Sequence, residues 1–203
     1  MGAKEGRSHA AARCFKMMEH DFADAILNTA QPNVLPNAPT RDYIFRNVLD
    51  IFEGRSVNIF QVGGIETFDL QWRIYSGWSD TIFGEYIKFY GGKLTVVDIN
   101  MNSLAHSKYA AIKLGYDLDE IYGDAIDHIT TGYDIYYLDG SDDPQETFDQ
   151  FKKIENEDCV VLVDDFKIKG VNVKEYLDRK QQEYTVHDVA NQVAVINLKK
   201  DKK

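Results

Sequence analysis

Four short β-rich runs, each ending at glycine or aspartate, constrain this chain more than any other feature of its sequence. They are Val57–Val62 before Gly63-Gly64, Leu94–Asp98, Asp134–Asp139 and Cys159–Asp164. The last two are almost continuously apolar, the pattern of strands covered on both faces. Helical segments separate the runs: Thr81–Tyr90 closed by Gly91-Gly92, Ser103–Leu114 closed by Gly115, and Gln145–Ile154. A shorter run, Glu120-Ile121-Tyr122, supplies a further strand. Strands alternating with helices predict βαβ units, hence a parallel sheet with right-handed crossovers and helices on both faces.

The end of the chain departs from this alternation. A helix over Val173–Gln182 leads into Tyr184–Asp188, and a short turn at Ala190-Asn191 precedes Gln192–Leu198. Two strands joined so tightly must be antiparallel. The expectation is therefore an α/β three-layer sandwich with a seven-stranded, mostly parallel sheet and an antiparallel last strand. Before the core, residues 1–55 read as a helical preface of the same domain, placed to pack on it or to act as a lid over a site; residues 56–203 form the core. Within the preface, helical periodicity over Ala10–Ala30 is broken by three prolines between Pro32 and Pro39. Thr40 then caps a second helix with Tyr43, Ile44, Val48, Leu49, Ile51 and Phe52 apolar, stopped at Gly54.

Charge and composition narrow the function. At 203 residues and 44% hydrophobic content the chain can bury one ordinary core. A formal charge of −10 disfavours a protein that grips phosphate backbones, since that binding needs clustered Lys and Arg. The expected partner is a small molecule, with no nucleic acid and no membrane; a homo-oligomer is compatible with the sequence. Cys14 and Cys159 stand far apart and make neither a disulfide framework nor a metal pair. No apolar stretch approaches the roughly 18 residues of a spanning helix and no signal peptide opens the chain, so the expected location is cytoplasmic. His9, His20, His106, His128 and His187 show no metal-ligand spacing.

In an open α/β sheet, ligands bind beyond the carboxyl ends of the strands, at the switch point of strand order. The residues expected there are Gly63-Gly64, Asp98, Gly123-Asp124-Ala125, Asp139-Gly140 and Asp164-Asp165. Glycine lets a backbone approach a ligand closely, and a carboxylate ending the second strand suits a ribose diol. The set fits a nucleoside.

In the order of these motifs, Val57–Leu198 resembles class I S-adenosylmethionine-dependent methyltransferases of Rossmann-like fold, particularly the catechol and macrocin-type O-methyltransferases. The likeness rests on Phe60-Gln61-Val62-Gly63, on Gly77-Trp78-Ser79 opening the first core helix, on Asp98, on Gly123-Asp124-Ala125 and on the antiparallel last strand. It implies S-adenosylmethionine as cofactor and methylation of a small hydroxylated acceptor. Cofactor contacts would come from Gly63, Gly64, Glu66, Gly77, Ser79, Asp98, Asp124, Ala125 and Asp139. Asp98 would hold the ribose, Asp124 would lie near the adenine amino group and Ser79 would reach the methionine carboxylate.

Two departures stand out. Gln61 occupies a place that is normally acidic, and about ten additional residues, Glu66–Tyr75, separate Gly64 from Gly77. Either this insertion belongs to the cofactor loop, with Glu66 replacing the missing acid, or it decorates the surface.

Asp139, Asp164 and Asp165 end two strands expected to be neighbours. Paired carboxylates at about 4 Å repel by several kcal/mol at intermediate dielectric, so something positive should sit among them. The resemblance implies a divalent cation, usually magnesium, with Asp139 and Asp164 as catalytic residues and all three aspartates as ligands. The other reading is that Asp164-Asp165 forms a turn or cap and Asp139 touches only the cofactor. Asp142-Asp143 before Pro144 reads as the start of the next helix. Trp72, Tyr75, Trp78 and Phe166 are candidates for an aromatic wall. A dinucleotide dehydrogenase would need glycine where Ile65 and Phe68 stand. A non-catalytic binding or interaction protein that has kept the fold is the alternative from a different class.

Overall fold

The computed structural model of the chain describes residues 41–52, 55–66, 79–188 and 192–198. The Ala10–Ala30 segment, the prolines after it, Gly54, Trp72, Tyr75, Gly77, Trp78 and the Ala190-Asn191 turn lie outside them.

The elements in chain order are α1 (Arg41–Asp50), β1 (Val57–Val62), α2 (Ser79–Tyr90), β2 (Gly92–Asp98), α3 (Met101–Leu114), β3 (Leu118–Tyr122), α4 (Ala125–His128), β4 (Ile135–Leu138), α5 (Pro144–Ile154), β5 (Cys159–Val163), α6 (Val171–Lys180), β6 (Tyr184–His187) and β7 (Val193–Leu198). The strands form one sheet in the order β3-β2-β1-β4-β5-β7-β6. β1 to β5 pair in parallel, whereas β7 runs antiparallel to both β5 and β6. This is the expected α/β sandwich of seven strands with an antiparallel last strand.

Side-chain alternation along the strands divides the core into two layers. Val57, Ile59, Leu94, Val96, Ile135, Tyr137 and Leu162 face one way and pack with Ile44, Phe45, Val48 and Leu49 of α1, Phe83 of α2 and Leu104 of α3. Phe60, Val62, Val97, Tyr136, Leu138, Val161 and Val163 face the other way, against Phe151 and Ile154 of α5 and Val173 and Leu177 of α6. Both edges are covered less: β3 and β6 carry only half-buried and exposed residues.

Helix ends follow local chemistry. Asn100 caps α3, its side chain accepting from the Asn102 N–H, and Gly115 closes it in the left-handed region at φ 76°. Asp143 caps α5 ahead of Pro144, as the sequence indicates. Strand ends differ slightly from expectation: Gly92, read with Gly91 as a helix stop, and Lys93 both extend β2 because they pair with Val57 and Asn58. Tertiary pairing overrides a local stop signal there.

Register is what builds the site. Val62 lies opposite Val97 on one side and Leu138 on the other, and Leu138 opposite Val163. The residues immediately beyond these positions, Gly63, Asp98, Asp139 and Asp164, therefore emerge along one rim. Strand order reverses between β1 and β4, which puts the switch-point crevice at Gly63 and Asp139.

Candidate active site

At the crevice the backbone comes as close as it can. Gly63 has φ 89°, and a Cβ there would meet the Asp139 carbonyl oxygen at 2.5 Å. Any other residue would be strained in conformation and blocked by its neighbour. A Cβ on Gly64 would lie 2.9 Å from the Ser107 hydroxyl oxygen and 3.0 Å from the Ser103 carbonyl oxygen. The glycine pair thus makes a bare backbone corner packed closely between the Asp139 carbonyl and α3.

Asp98 holds that corner from the next strand. Its Oδ2 accepts from the Gly64 N–H at 2.8 Å and its Oδ1 from the Asn100 N–H at 2.7 Å. Each oxygen keeps acceptor capacity, so a half-buried carboxylate of fixed orientation faces the corner. Farther along the rim, Asp124 caps the four-residue α4 through the Ile126 N–H at 3.0 Å, and Ala125 is buried behind it. Glu66 is exposed, and Ser79 is buried as the first residue of α2.

The acid next to Gln61 is one that the sequence did not single out. Gln61 and Asp80 are each 1% exposed, and Gln61 Nε2 donates to Asp80 Oδ1 at 2.5 Å and to the Gly63 carbonyl at 2.7 Å. Among the described residues the carboxylate beside Gln61 is that of Asp80, while Glu66 is exposed and its backbone carbonyl meets the His106 ring. The buried Ser107 hydroxyl accepts from the Ile65 N–H at 3.0 Å and also bonds the Asp80 carboxylate. Burial pushes the Asp80 carboxyl up to about 6, against the hydrogen bonds from Ser107 and Gln61. In sequence, Asp80 is an ordinary acid in the first turn of a helix, which hides it.

The carboxylates beyond β4 and β5 do meet a positive charge, but it comes from the protein. Arg41 Nη1 lies 3.0 Å from Asp164 Oδ2, and Arg41 Nη2 lies 2.8 Å from Asp165 Oδ1. Lys169 Nζ is 2.6 Å from Asp139 Oδ1 and 3.7 Å from Asp165 Oδ2. The Tyr137 hydroxyl completes the group, 3.0 Å from Asp139 Oδ2 and 3.1 Å from Asp164 Oδ2. A turn after β5 makes this possible: Asp165 sits at φ 44°, and its carbonyl accepts from the Ile168 and Lys169 N–H groups, which brings Lys169 back over the rim.

Three carboxylates against two cations leave one negative charge in a buried setting. Burial and the neighbouring Asp139 hold the Asp164 carboxyl well above the usual carboxylate range, against the pull of Arg41. One proton shared in the cluster restores neutrality. Burial works against the Lys169 charge, but Asp139 outweighs it and raises the ammonium above its ordinary value.

This arrangement does not support the expectation of magnesium on Asp139, Asp164 and Asp165. Among the described residues no group of three His, Cys, Asp or Glu side chains is placed to hold a metal ion. Each of the three carboxylates already faces a guanidinium, an ammonium or a phenol, and only Asp164 Oδ1 is left without a partner among the described residues, so the donor set does not fit. Sequence spacing could have suggested Lys169, four residues after Asp165. Nothing local points to Arg41. Phe166, a candidate for an aromatic wall, is instead a core residue, 3% exposed and with its ring centroid 5.7 Å from that of Tyr184.

Comparison with solved structures gives the architecture its name. The S-adenosylhomocysteine-bound Podospora anserina methyltransferase PaMTH1 is similar over 98% of this chain and 97% of its own, with a TM-score of 0.54 and 15% identity. This is a class I methyltransferase fold. A methyltransferase from Geobacter sulfurreducens matches over 88% of this chain and 97% of its own, with a TM-score of 0.56 and 12% identity. M. capricolum TrmK in complex with S-adenosylhomocysteine matches over 79% and 71%, with a TM-score of 0.52 and 12% identity. Neither a protein-family model nor a curated protein matches the sequence. Within the methyltransferase fold, the corner at Gly63-Gly64 and the Asp98 carboxylate stand at the switch point, where such a sheet binds ligands. No helix among the described residues is long and apolar enough to cross a membrane.

Proposed function

We propose that the chain is an S-adenosylmethionine-dependent methyltransferase acting on an oxygen of a small hydroxylated molecule. One observation carries the proposal: the Gly63-Gly64 corner, whose bare backbone packs so closely on the end of β4 and on α3 that no Cβ could fit, lies against an Asp98 carboxylate whose Oδ2 is fixed by the Gly64 N–H. A nucleoside with a ribose diol has the two donors that such a carboxylate accepts, and Asp124-Ala125 on the same rim is placed for the base. The methionine end extends toward Gly63 and Ser79. Solved structures of the same fold that hold S-adenosylhomocysteine support this reading.

When bound, S-adenosylmethionine supplies a methyl group made electrophilic by its sulfonium. The chain contributes position and electrostatics. Asp139, about one-fifth exposed at the end of β4, is the carboxylate that can meet an acceptor hydroxyl and take its proton. Lys169 and Tyr137 hold its two oxygens in place. Asp164 is 1% exposed beneath them and acts through Asp139 and Tyr137 rather than on the acceptor. Arg41 and Lys169 stand where a metal ion was expected, so no step passes through a metal. The net charge of −10 supports a small acceptor over a nucleic acid.

Titration calorimetry tests the reading. S-adenosylmethionine and S-adenosylhomocysteine should bind at micromolar concentrations, and Asp98→Ala should weaken both at least about tenfold, the loss of one to two hydrogen bonds to a charged group. Tighter binding of a nicotinamide dinucleotide would reject it, and binding without methyl transfer to any of a panel of hydroxylated acceptors would favour a non-catalytic binding protein.

A further inference from the structure

The pair Gln61–Asp80 is a buried polar site with acceptors to spare. Asp80 Oδ2 and Gln61 Oε1 are both buried with no hydrogen-bond partner among the described residues, in side chains 1% exposed. Gln61 has turned its donor end to Asp80 and to the Gly63 carbonyl, leaving its oxygen outside that network. A buried acceptor without a donor is costly, and more so when it is charged. Two beside one glycine corner call for the same remedy: a compact cationic group with several N–H donors. A guanidinium is planar and presents its donors as a fork, whereas a primary ammonium can point three donors at three converging acceptors.

We infer that Asp80, with Gln61 Oε1, receives the α-ammonium of the amino-acid end of the cofactor, so the acid absent from β1 is supplied instead by the first turn of α2. The inference rests on the cofactor reading above and adds to it a residue and a ligand group. Gln61 is then the positioning residue: it holds Asp80 Oδ1 and the Gly63 carbonyl with one amide nitrogen and fixes the carboxylate beside the corner. The neighbouring Ser107 hydroxyl locks the same carboxylate to α3, and Ile65 to that hydroxyl. An ammonium arriving there meets a site already oriented, with no protein cation to displace: among the described residues, neither Arg nor Lys bonds Asp80 or Gln61.

Calorimetry on the full chain can separate the ammonium from the rest of the ligand. Three ligands suffice: S-adenosylhomocysteine, its deaminated analogue and 5′-methylthioadenosine, which lacks the amino-acid end. In the wild type, loss of the amino group should weaken binding at least about tenfold, the scale of a charge-assisted hydrogen bond. Asp80→Asn should weaken S-adenosylhomocysteine by a similar factor while 5′-methylthioadenosine stays within about twofold, and in that variant deamination should cost nothing further. The exchanged pair Gln61→Glu with Asp80→Asn should restore the preference for the amino group, since it returns one charge to the same place. Equal affinity of the wild type for the amino and deamino ligands overturns the inference without needing any variant to fold. So does an Asp80→Asn variant that weakens all three ligands alike. If the wild type binds none of them, the cofactor reading itself fails; if it binds them and only the selective loss is missing, this inference alone fails.

Discussion

Arg41 Nη2 donates to Asp165 Oδ1 at 2.8 Å across 124 residues of chain, tying the helix ahead of the first strand to the turn after the fifth. Its other terminal nitrogen pairs with the buried Asp164, so one side chain spans adjacent carboxylates at the site's rim. Removing one partner of a buried ion pair is expensive because the other is left without compensation, by about 3–5 kcal/mol. Arg41→Met should fall toward the lower end, about 3 kcal/mol, since burial and the neighbouring Asp139 already work against the Asp164 charge. Urea unfolding at pH 7 checks this, and a loss under about 1 kcal/mol would show that the pair does not hold α1 to the core.

Gly63→Ala should be among the most damaging small substitutions in the chain. It places a Cβ 2.5 Å from the Asp139 carbonyl and demands φ near 89° of a non-glycine residue. Strain and overpacking together predict a loss of about 3 kcal/mol or more, and abolished cofactor binding. A variant that melts like the wild type would mean that the β1 and β4 ends separate easily.

Asp80 should cost the free protein stability. Its carboxyl is held up to about 6 in the fold against a reference of 3.8, so between these values the folded state binds more protons than the unfolded one. Stability then falls as pH rises through the window from about 4 to 6, and the loss is complete above it. Two units correspond to about 3 kcal/mol. Asp80→Asn, which keeps the shape and the acceptor for Gln61, should therefore stabilise the ligand-free protein by up to about 3 kcal/mol at pH 8. The gain over wild type should shrink toward zero at pH 4. Denaturant titrations of both proteins across this range decide it; a variant less stable at pH 8 would contradict the direction of the shift.

Magnesium should not stabilise the ligand-free protein. Anything that binds only the native state raises its melting temperature by mass action. With Arg41 and Lys169 on the three carboxylates, millimolar magnesium or excess chelator should leave the melting temperature unchanged within about 1 °C, the shift expected from a few tenths of a kcal/mol. Lys169→Met removes one of those cations and should lower stability without creating magnesium dependence, because Arg41 still fills the group. A magnesium-dependent rise in the wild type would restore the metal reading.

The strand ends were legible because burial on both faces of a sheet demands apolar runs, and the glycines and aspartates that close them mark where the runs stop. The repulsion among Asp139, Asp164 and Asp165 was legible too, and so was the need for a positive partner. Its identity was not. Arg41 reaches the cluster only through packing of α1 beside Tyr137, whose ring lies 5.1 Å from that of Phe45, and no local pattern encodes that approach. Asp80 was hidden for a related reason: an acid in a helix's first turn reads as a solvent-facing cap until the facing strand residue, Gln61, is known.

By itself, the sequence determined the alternation of elements, the antiparallel ending and the set of residues at the strand termini, because these depend on periodicity and turn chemistry within a few neighbours. The tertiary structure alone decided which charges meet. Register aligned the strand ends on one rim, and packing carried Arg41 and Lys169 to their carboxylates and buried Asp80 against Gln61. Such pairings are set by distances in space, over which electrostatic energies vary steeply, and separation along the chain says nothing about them.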